Sequence, residues 1–192
     1  MITTSAKDQA IIDRIGQWID KIVIGLSFCP FAARPWRAGS VRIMVSHAET
    51  RDELNADLIA ELQLLEGSAP NEEMASTPET SLVVTPNMLQ EFWDYSDYAA
   101  SVSRMMRKKG WEGVFQLATF HPDYCFADAA TEDPVNLTNR SPYPIFHFLR
   151  ESSITSALET YRDSASIPEK NTQRIQSMSD SERSSLFSYL AR

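Results

Sequence analysis

The chain has 192 residues, of which 43% are hydrophobic and 23% are charged. This length is typical of one domain, and the composition excludes a disordered chain. The 26 acidic and 18 basic residues give a net charge of −8. They form no basic stripe that would neutralise phosphates, so we expect no nucleic-acid partner. The sequence contains neither an apolar run of about 18 residues nor a secretory leader, and we therefore expect a cytoplasmic protein without a membrane partner.

The N-terminal part of the chain predicts a helix, a strand and a second helix. Apolar residues recur at steps of three and four over 5–26, which is typical of an amphipathic helix. Residues 41–47 alternate between apolar and other side chains, as in a half-buried strand. Thr50 and Glu53 form a capping box at the start of a helix that Gly67 ends.

Acidic residues are concentrated in and after this second helix. Residues 49–79 contain nine acids and one arginine, so the rest of the chain is neutral overall. We predict an exposed acidic loop over 68–80. An alternative function follows from this charge: a non-catalytic interaction or assembly protein would use the acidic surface over 51–80 to dock a basic partner.

The C-terminal part predicts two apolar strands, a long loop and further helices. Residues 81–84 and 114–120 are apolar runs typical of buried strands, and a helical pattern connects them. About 20 residues rich in Asp, Asn, Pro and Ser follow over 121–142, a length that indicates a functional or disordered loop. We predict a helix over about 144–162 and a last helix that a capping box opens at Ser179.

The alternation of helices and strands predicts a single α/β domain over residues 1–192. We expect a small sheet of three or four strands, parallel or mixed, packed by about five helices. If the strands are parallel, His47, Thr85 and His121 lie at the same end of the sheet, where open α/β sheets bind ligands.

Three sequence blocks occur in order along the chain: CPFA at 29–32, FQLATFHPDY at 115–124, and NRSPYP at 139–144 with HFLRE at 147–151. Together they resemble a bacterial and plastid family catalogued as domain of unknown function 1415. The resemblance covers nearly the whole chain. It implies that these blocks form one unit, and it implies no established activity.

Four residues of these blocks are candidates for catalysis. His121 ends a predicted buried strand, and its unperturbed pKa of about 6.5 suits a general acid or base. His147 and Glu151 share a face of the predicted helix, so the glutamate could orient the imidazole. Cys29 is a candidate nucleophile that would need one of the histidines as its base. The alternatives are a strand-end histidine bonded to its loop, an exposed helix pair and a buried apolar cysteine.

Arginines in the same blocks suit the recognition of an anion. Guanidinium groups bind carboxylates and phosphates bidentately, and the predicted helix start would add a positive dipole end. The predicted substrate-binding residues are Arg140, Arg150, Arg34, Tyr124 and Asn139. The alternative is that the arginines fasten the long loop. We predict a protein that binds a small anionic molecule, and an enzyme using His121 is the more specific form of this hypothesis.

A third hypothesis is a metal-binding protein that uses His121, His147 and Glu151. No His-Glu-x-x-His pattern is present, so we assign no metal ligand. The six glycines form no phosphate-binding loop, and the sequence identifies no cofactor.

Overall fold

The computed structural model of the protein describes residues 5–67, 78–161 and 163–191. Its centre is an open sheet of four strands in the order β1-β2-β4-β3. The strands are β1 Val41–Val45, β2 Thr80–Val84, β3 Phe115–Phe120 and β4 Ile145–Arg150. β1 and β2 are parallel, and β4 is antiparallel to both of its neighbours. The predicted α/β fold with a small mixed sheet is confirmed.

Helices cover both faces of the sheet. The α-helices of the described residues are α1 Ala6–Trp18, α2 Ala33–Arg37, α3 Arg51–Gly67, α4 Phe92–Lys108, α5 Glu151–Thr160, α6 Ile167–Gln176 and α7 Asp180–Leu186. A π-helix, Ile19–Ile24, continues α1, and short 3-10 helices occupy Pro134–Asn139, Ser164–Ser166 and Ser188–Leu190. The capping boxes predicted at Thr50 and Ser179 are confirmed by their reciprocal hydrogen bonds. The acidic loop predicted over 68–80 lies outside the described residues at 68–77.

The predicted helix over 144–162 is wrong in its first part. Residues 145–150 form β4, and the helix begins only at Glu151. Ile145, Phe146 and Phe148 are fully buried because β4 lies between two other strands and helices cover both of its faces. A strand that is apolar on both faces has no alternating pattern, so a short apolar run does not distinguish it from a helix.

Two apolar cores lie on the two faces of the sheet. Phe146 and Phe148 belong to the core formed with α3 and α4. Ile145 belongs to the other core, formed with α1, the π-helix and the C-terminal helices. Successive strand residues point to opposite faces. His147 therefore lies on the same face as Ile145.

The sheet has two distinct ends along its strands. β1, β2 and β3 all finish at one end, which we call the carboxyl end, and β4 starts there because Ile145 pairs with both Val84 and Phe120. At the other end, the amino end, Arg150 pairs with Phe115. The predicted alignment of His47, Thr85 and His121 at one end is confirmed.

Candidate functional site

His121 is fully buried at the carboxyl end, where its ring lies 5.5 Å from the ring of Phe92 and 5.1 Å from that of Tyr95. Its Nδ1 accepts the backbone N–H of Asp123 at 3.0 Å, and its Nε2 lies 3.0 Å from the backbone oxygen of Leu89. These partners assign a neutral ring with the proton on Nε2. The two ring nitrogens therefore connect the main chain at Asp123 to the main chain at Leu89.

The loop over 121–133 is held by two further polar side chains. Arg140 donates through Nε to the Tyr124 oxygen at 3.2 Å and through Nη2 to the Thr131 oxygen at 2.9 Å. Asn136, which is fully buried, accepts the N–H of Phe126 at 3.0 Å and donates to the oxygens of Ala130 and Thr131 at 2.8 and 3.2 Å. These bonds supply the main-chain partners that a loop without regular structure lacks. Asn136 was not among the predicted residues, since no spacing in the sequence distinguishes it from its neighbours.

The backbone oxygen of Arg140 connects the loop to the N-terminal helix α1 and to the C-terminal segment of the protein. It accepts the indole N–H of Trp18 at 3.1 Å and the hydroxyl of Tyr189 at 3.0 Å. Burial raises the pKa of Tyr189, so its hydroxyl stays a donor at neutral pH. Among the described residues, no carboxylate forms an ion pair with the Arg140 guanidinium. Its hydrogen-bond acceptors are the main-chain oxygens of Tyr124 and Thr131.

A cleft of about 460 Å³ opens beside Arg140, between the 3-10 helix Pro134–Asn139 and α7. Its second arginine, Arg183, donates through Nη1 to the oxygens of Ile175 and Met178 at 3.1 and 2.6 Å, and through Nη2 to Asp180. We call this opening between the 3-10 helix and α7 the Arg140–Arg183 cleft. Its other lining residues are Glu132, Asp133, Pro134, Leu137, Asp180, Ser184, Phe187 and Leu190. Arg183 was not among the predicted residues, because only tertiary packing brings α7 to the loop.

His147 and Glu151 do not share a helix face, so that prediction is wrong. His147 lies within β4, and its Nε2 is 2.6 Å from Oγ1 of Thr80, whose hydroxyl donates to the Phe148 oxygen at 2.6 Å. Burial lowers the pKa of His147 to about 4. Glu151 begins α5 at the amino end, where its N–H donates to the Val114 oxygen at 3.0 Å.

The proposed metal ligands are separated by the sheet. His121 contacts the rings of α4, whereas His147 lies on the opposite face. Glu151 follows β4 at the amino end, roughly 17 Å along the strand from the carboxyl end. Within 5–67, 78–161 and 163–191, no three His, Cys, Asp or Glu side chains are grouped as a metal site. The structure therefore does not bring His121, His147 and Glu151 together as the metal-binding hypothesis requires.

The remaining arginines and Cys29 lie away from Arg140. Arg150 is buried at the amino end, where it donates to the Leu65 oxygen and lies 5.5 Å over the ring of Phe115. Arg34 lies in the short helix α2. Cys29 is half-buried, its N–H donates to the Val23 oxygen at 3.3 Å, and burial raises the pKa of its thiol. A raised thiol pKa lowers the fraction of the reactive thiolate.

Tyr124 and Asn139 lie with His121 and Arg140 at the carboxyl end. The ring of Tyr124 is 5.2 Å from that of Phe92, and the side-chain amide of Asn139 donates to the Thr119 oxygen at 3.4 Å. Four of the predicted residues therefore lie in the same loop: His121, Tyr124, Asn139 and Arg140. The others, His147, Glu151, Arg150, Arg34 and Cys29, are not part of this loop.

The acidic surface of α3 is smaller than the sequence indicates. Glu61 is buried beneath the helix, where Arg42 donates to it bidentately at 2.9–3.1 Å and Ser81 donates at 2.6 Å. Asp57 accepts the hydroxyl of Ser46 at 2.6 Å. These two acids hold α3 to the sheet. Docking of a basic partner on the other acids of 51–80 stays a prediction.

Comparison with known families gives one match. Residues 10–185 match a family model described as a protein of unknown function, DUF1415. The chain belongs to the DUF1415 family. This confirms the resemblance seen in the three sequence blocks. No curated protein and no solved structure matches this DUF1415 protein. Among its described helices, none has the length and apolar character needed to cross a bilayer.

Proposed function

We propose that this DUF1415 protein binds a small organic anion in the Arg140–Arg183 cleft. One observation carries the proposal: the Arg140 guanidinium is held by two carbonyl oxygens and has no carboxylate partner among the described residues. A guanidinium fixed in this way keeps its full charge for a ligand and has already lost its side-chain entropy. The cleft volume of about 460 Å³ lies in the range of small-molecule sites.

The lining of the cleft favours one class of anion. The lining holds two arginines and three acids, and Arg183 is already paired with Asp180, so the cleft has no excess positive charge for a polyanion such as a nucleoside triphosphate. Of the two guanidinium groups, only that of Arg140 is available for an anion, which favours a ligand with a single negative charge. Leu137, Phe187 and Leu190 supply an apolar wall. The ligand that fits this lining is a monocarboxylate with an apolar body, whose carboxylate reaches Arg140. Catalysis by His121 stays a prediction, and it would require the ring to leave Leu89 and Asp123.

Titration with acetate, hexanoate, phenylacetate and inorganic phosphate tests this proposal. The indole N–H of Trp18 is a direct reporter in an amide-detected NMR spectrum, because it donates to the Arg140 oxygen. We expect hexanoate and phenylacetate to shift this signal and to bind at least about tenfold more tightly than acetate or phosphate. No shift at about 10 mM of any probe would contradict the proposal.

A pair of neighbouring variants supplies the matched control. Ser184 is exposed and lines the cleft, whereas Ser185 is exposed and does not line it. Ser184→Glu adds a negative charge beside the arginines, and we expect it to weaken phenylacetate binding about tenfold. Ser185→Glu should leave binding unchanged. Equal effects of the two variants would assign binding to another part of the molecule.

A further inference from the structure

β3 is the last strand of the sheet, so one of its two edges has no neighbouring strand. The N–H of Glu151 donates to the Val114 oxygen, next to the pair Phe115–Arg150. In an antiparallel ladder, hydrogen-bonded and non-hydrogen-bonded pairs alternate. The main-chain groups of residues 116, 118 and 120 are therefore directed to β4, and those of Phe115, Leu117 and Thr119 point away from the sheet.

Two of these outward groups have partners within the chain. The N–H of Phe115 donates to the Trp111 oxygen at 3.0 Å, and the oxygen of Thr119 accepts from the side-chain amide of Asn139 at 3.4 Å. Four groups remain: the oxygen of Phe115, the N–H and the oxygen of Leu117, and the N–H of Thr119. No hydrogen bond from the described part of the chain reaches them. Donors and acceptors in this set are symmetric about Leu117.

We propose that β3 pairs with β3 of a second copy of this chain, antiparallel and with a two-fold axis at Leu117. Each Leu117 exchanges both of its main-chain hydrogen bonds with Leu117 of the other copy. Each Thr119 N–H donates to the Phe115 oxygen of the other copy. This register uses the four open groups on each copy and leaves the bonds to Trp111 and Asn139 intact. The product is a continuous sheet of eight strands.

Composition distinguishes the two edge strands of the sheet. Natural edge strands avoid pairing with other chains through charged side chains, prolines or bulges. β1 contains Arg42, whereas β3 has the sequence FQLATF, without charge or proline, and its pairing with β4 is regular. Residues 139–141 cover this edge beyond Thr119, where the main chain of His121 bonds to Asn139 and Ser141 at 3.3 and 3.4 Å. The open part of the edge is therefore the segment centred on Leu117, and an open segment of this kind is a site for strand addition.

The charges that flank β3 fit a second copy. Before the strand lie four exposed basic residues at the end of α4, namely Arg104, Arg107, Lys108 and Lys109. Arg107 pairs with the exposed Glu112 at 3.1 Å, so the segment keeps a net charge of +3. After the strand lie the exposed acids Asp123 and Asp128. Antiparallel pairing brings the start of one strand to the end of the other. The bases of each copy then lie near the acids of its partner, so both ends of the interface are electrostatically complementary.

Disulfide cross-linking tests the register. Gln116 and Ala118 of different copies face each other in this arrangement as a non-hydrogen-bonded pair, with Cα atoms about 4.5 Å apart, which a disulfide spans. We expect a mixture of Gln116→Cys and Ala118→Cys proteins to form a cross-linked dimer on oxidation. In a dimer of one variant alone, the two new cysteines occupy diagonal positions of the paired strands, about 7–8 Å apart, and should cross-link much less. Wild-type protein measures the background from Cys29 and Cys125, which are both half-buried.

Sedimentation of charge variants tests the complementarity. We expect wild-type protein at about 100 µM to have twice the 21.7 kDa mass of one chain. Lys108→Glu with Lys109→Glu, or Asp123→Lys with Asp128→Lys, should each weaken the dimer at least tenfold, and the combined variant should restore it. Glu66→Lys, an exposed change on α3, is the matched control.

Three outcomes would overturn the proposal. The first is a wild-type protein that stays monomeric at about 100 µM. The second is a dimer in which the mixed cysteine proteins cross-link no better than each variant alone. The third is a dimer that both charge reversals leave intact. None of these measurements involves the anion cleft, so the two proposals can fail separately.

Discussion

The loop over 121–140 and the strand β4 hold the two halves of the predicted site, and they satisfy their backbones in different ways. β4 has strand partners on both sides, so its main chain is paired within the sheet. The loop has no such partners, and His121, Asn136 and Arg140 supply them through their side chains. Polar side chains in the loop therefore hold its backbone in place. In β4 the pairing with neighbouring strands already holds the backbone, so a polar side chain there contributes only its own contacts.

The largest loss of stability is expected when a side chain that holds the loop backbone is removed. Asn136→Ala removes three hydrogen bonds between a fully buried amide and the main chain, and leaves groups of Phe126, Ala130 and Thr131 without that partner. We expect it to lower the free energy of unfolding by about 3 kcal/mol in urea titrations. Amide hydrogen exchange over 123–131 should become faster.

Asn171→Ala is the matched control for this change. The side chain of Asn171 makes one hydrogen bond, to the Phe28 oxygen at 2.8 Å, and is half-buried. Its removal should cost about 1 kcal/mol and leave the loop amides protected. Similar losses for the two variants would mean that the loop does not depend on Asn136.

A smaller effect is expected from His147 in β4. Its pKa is about 4 in the folded protein and about 6.5 when unfolded, so the unfolded state binds more protons between these values. Its contribution to stability is therefore constant above pH 6.5 and becomes less favourable as the pH falls towards 4. Between pH 7 and pH 5.2 this loss should be roughly 1–2 kcal/mol.

His147→Gln isolates this contribution from that of the carboxylates. Glutamine does not titrate and keeps a donor for Thr80, so the variant should lose less stability than wild type over the same pH interval, by roughly 1–2 kcal/mol. Urea unfolding of both proteins at pH 7 and pH 5.2 measures the difference. Parallel stability curves would show that His147 does not account for the pH dependence.

The smallest effect is expected at the amino end of the sheet. Arg150→Met removes the guanidinium group, which lies over the ring of Phe115 and donates to the oxygen of Leu65 in the last turn of α3. It keeps an unbranched apolar side chain at this position. We expect a loss of about 1 kcal/mol, with phenylacetate binding and exchange over 123–131 unchanged. A change at the carboxyl end on this substitution would show that the two regions are coupled.

Local patterns predicted most of the elements of this fold. The capping boxes at Thr50 and Ser179 and the end of α3 at Gly67 depend on contacts between residues close in sequence, and the structure has them. The end of β3 just before His121 could be predicted because the apolar run of the strand stops there. β4 could not be distinguished from a helix, because its apolar residues face two cores at once.

The candidate site was predictable only in part. The blocks around His121, Tyr124, Asn139 and Arg140 do form one unit at the carboxyl end of the sheet. The partners of these side chains are mostly backbone oxygens and N–H groups, which every residue possesses and which no sequence pattern marks. Arg183 reaches the cleft from a helix more than 40 residues further along the chain.

The sequence by itself determined where helices and strands begin and end when local hydrogen bonds and periodicity control them, and it determined which residues follow the three parallel strands. Only the tertiary structure decided that residues 145–150 pair between β2 and β3, that His121 is enclosed by α4, and that α7 meets the loop at Arg140. The physical reason is that burial and long-range pairing depend on which surfaces meet, and residues distant in sequence make those contacts.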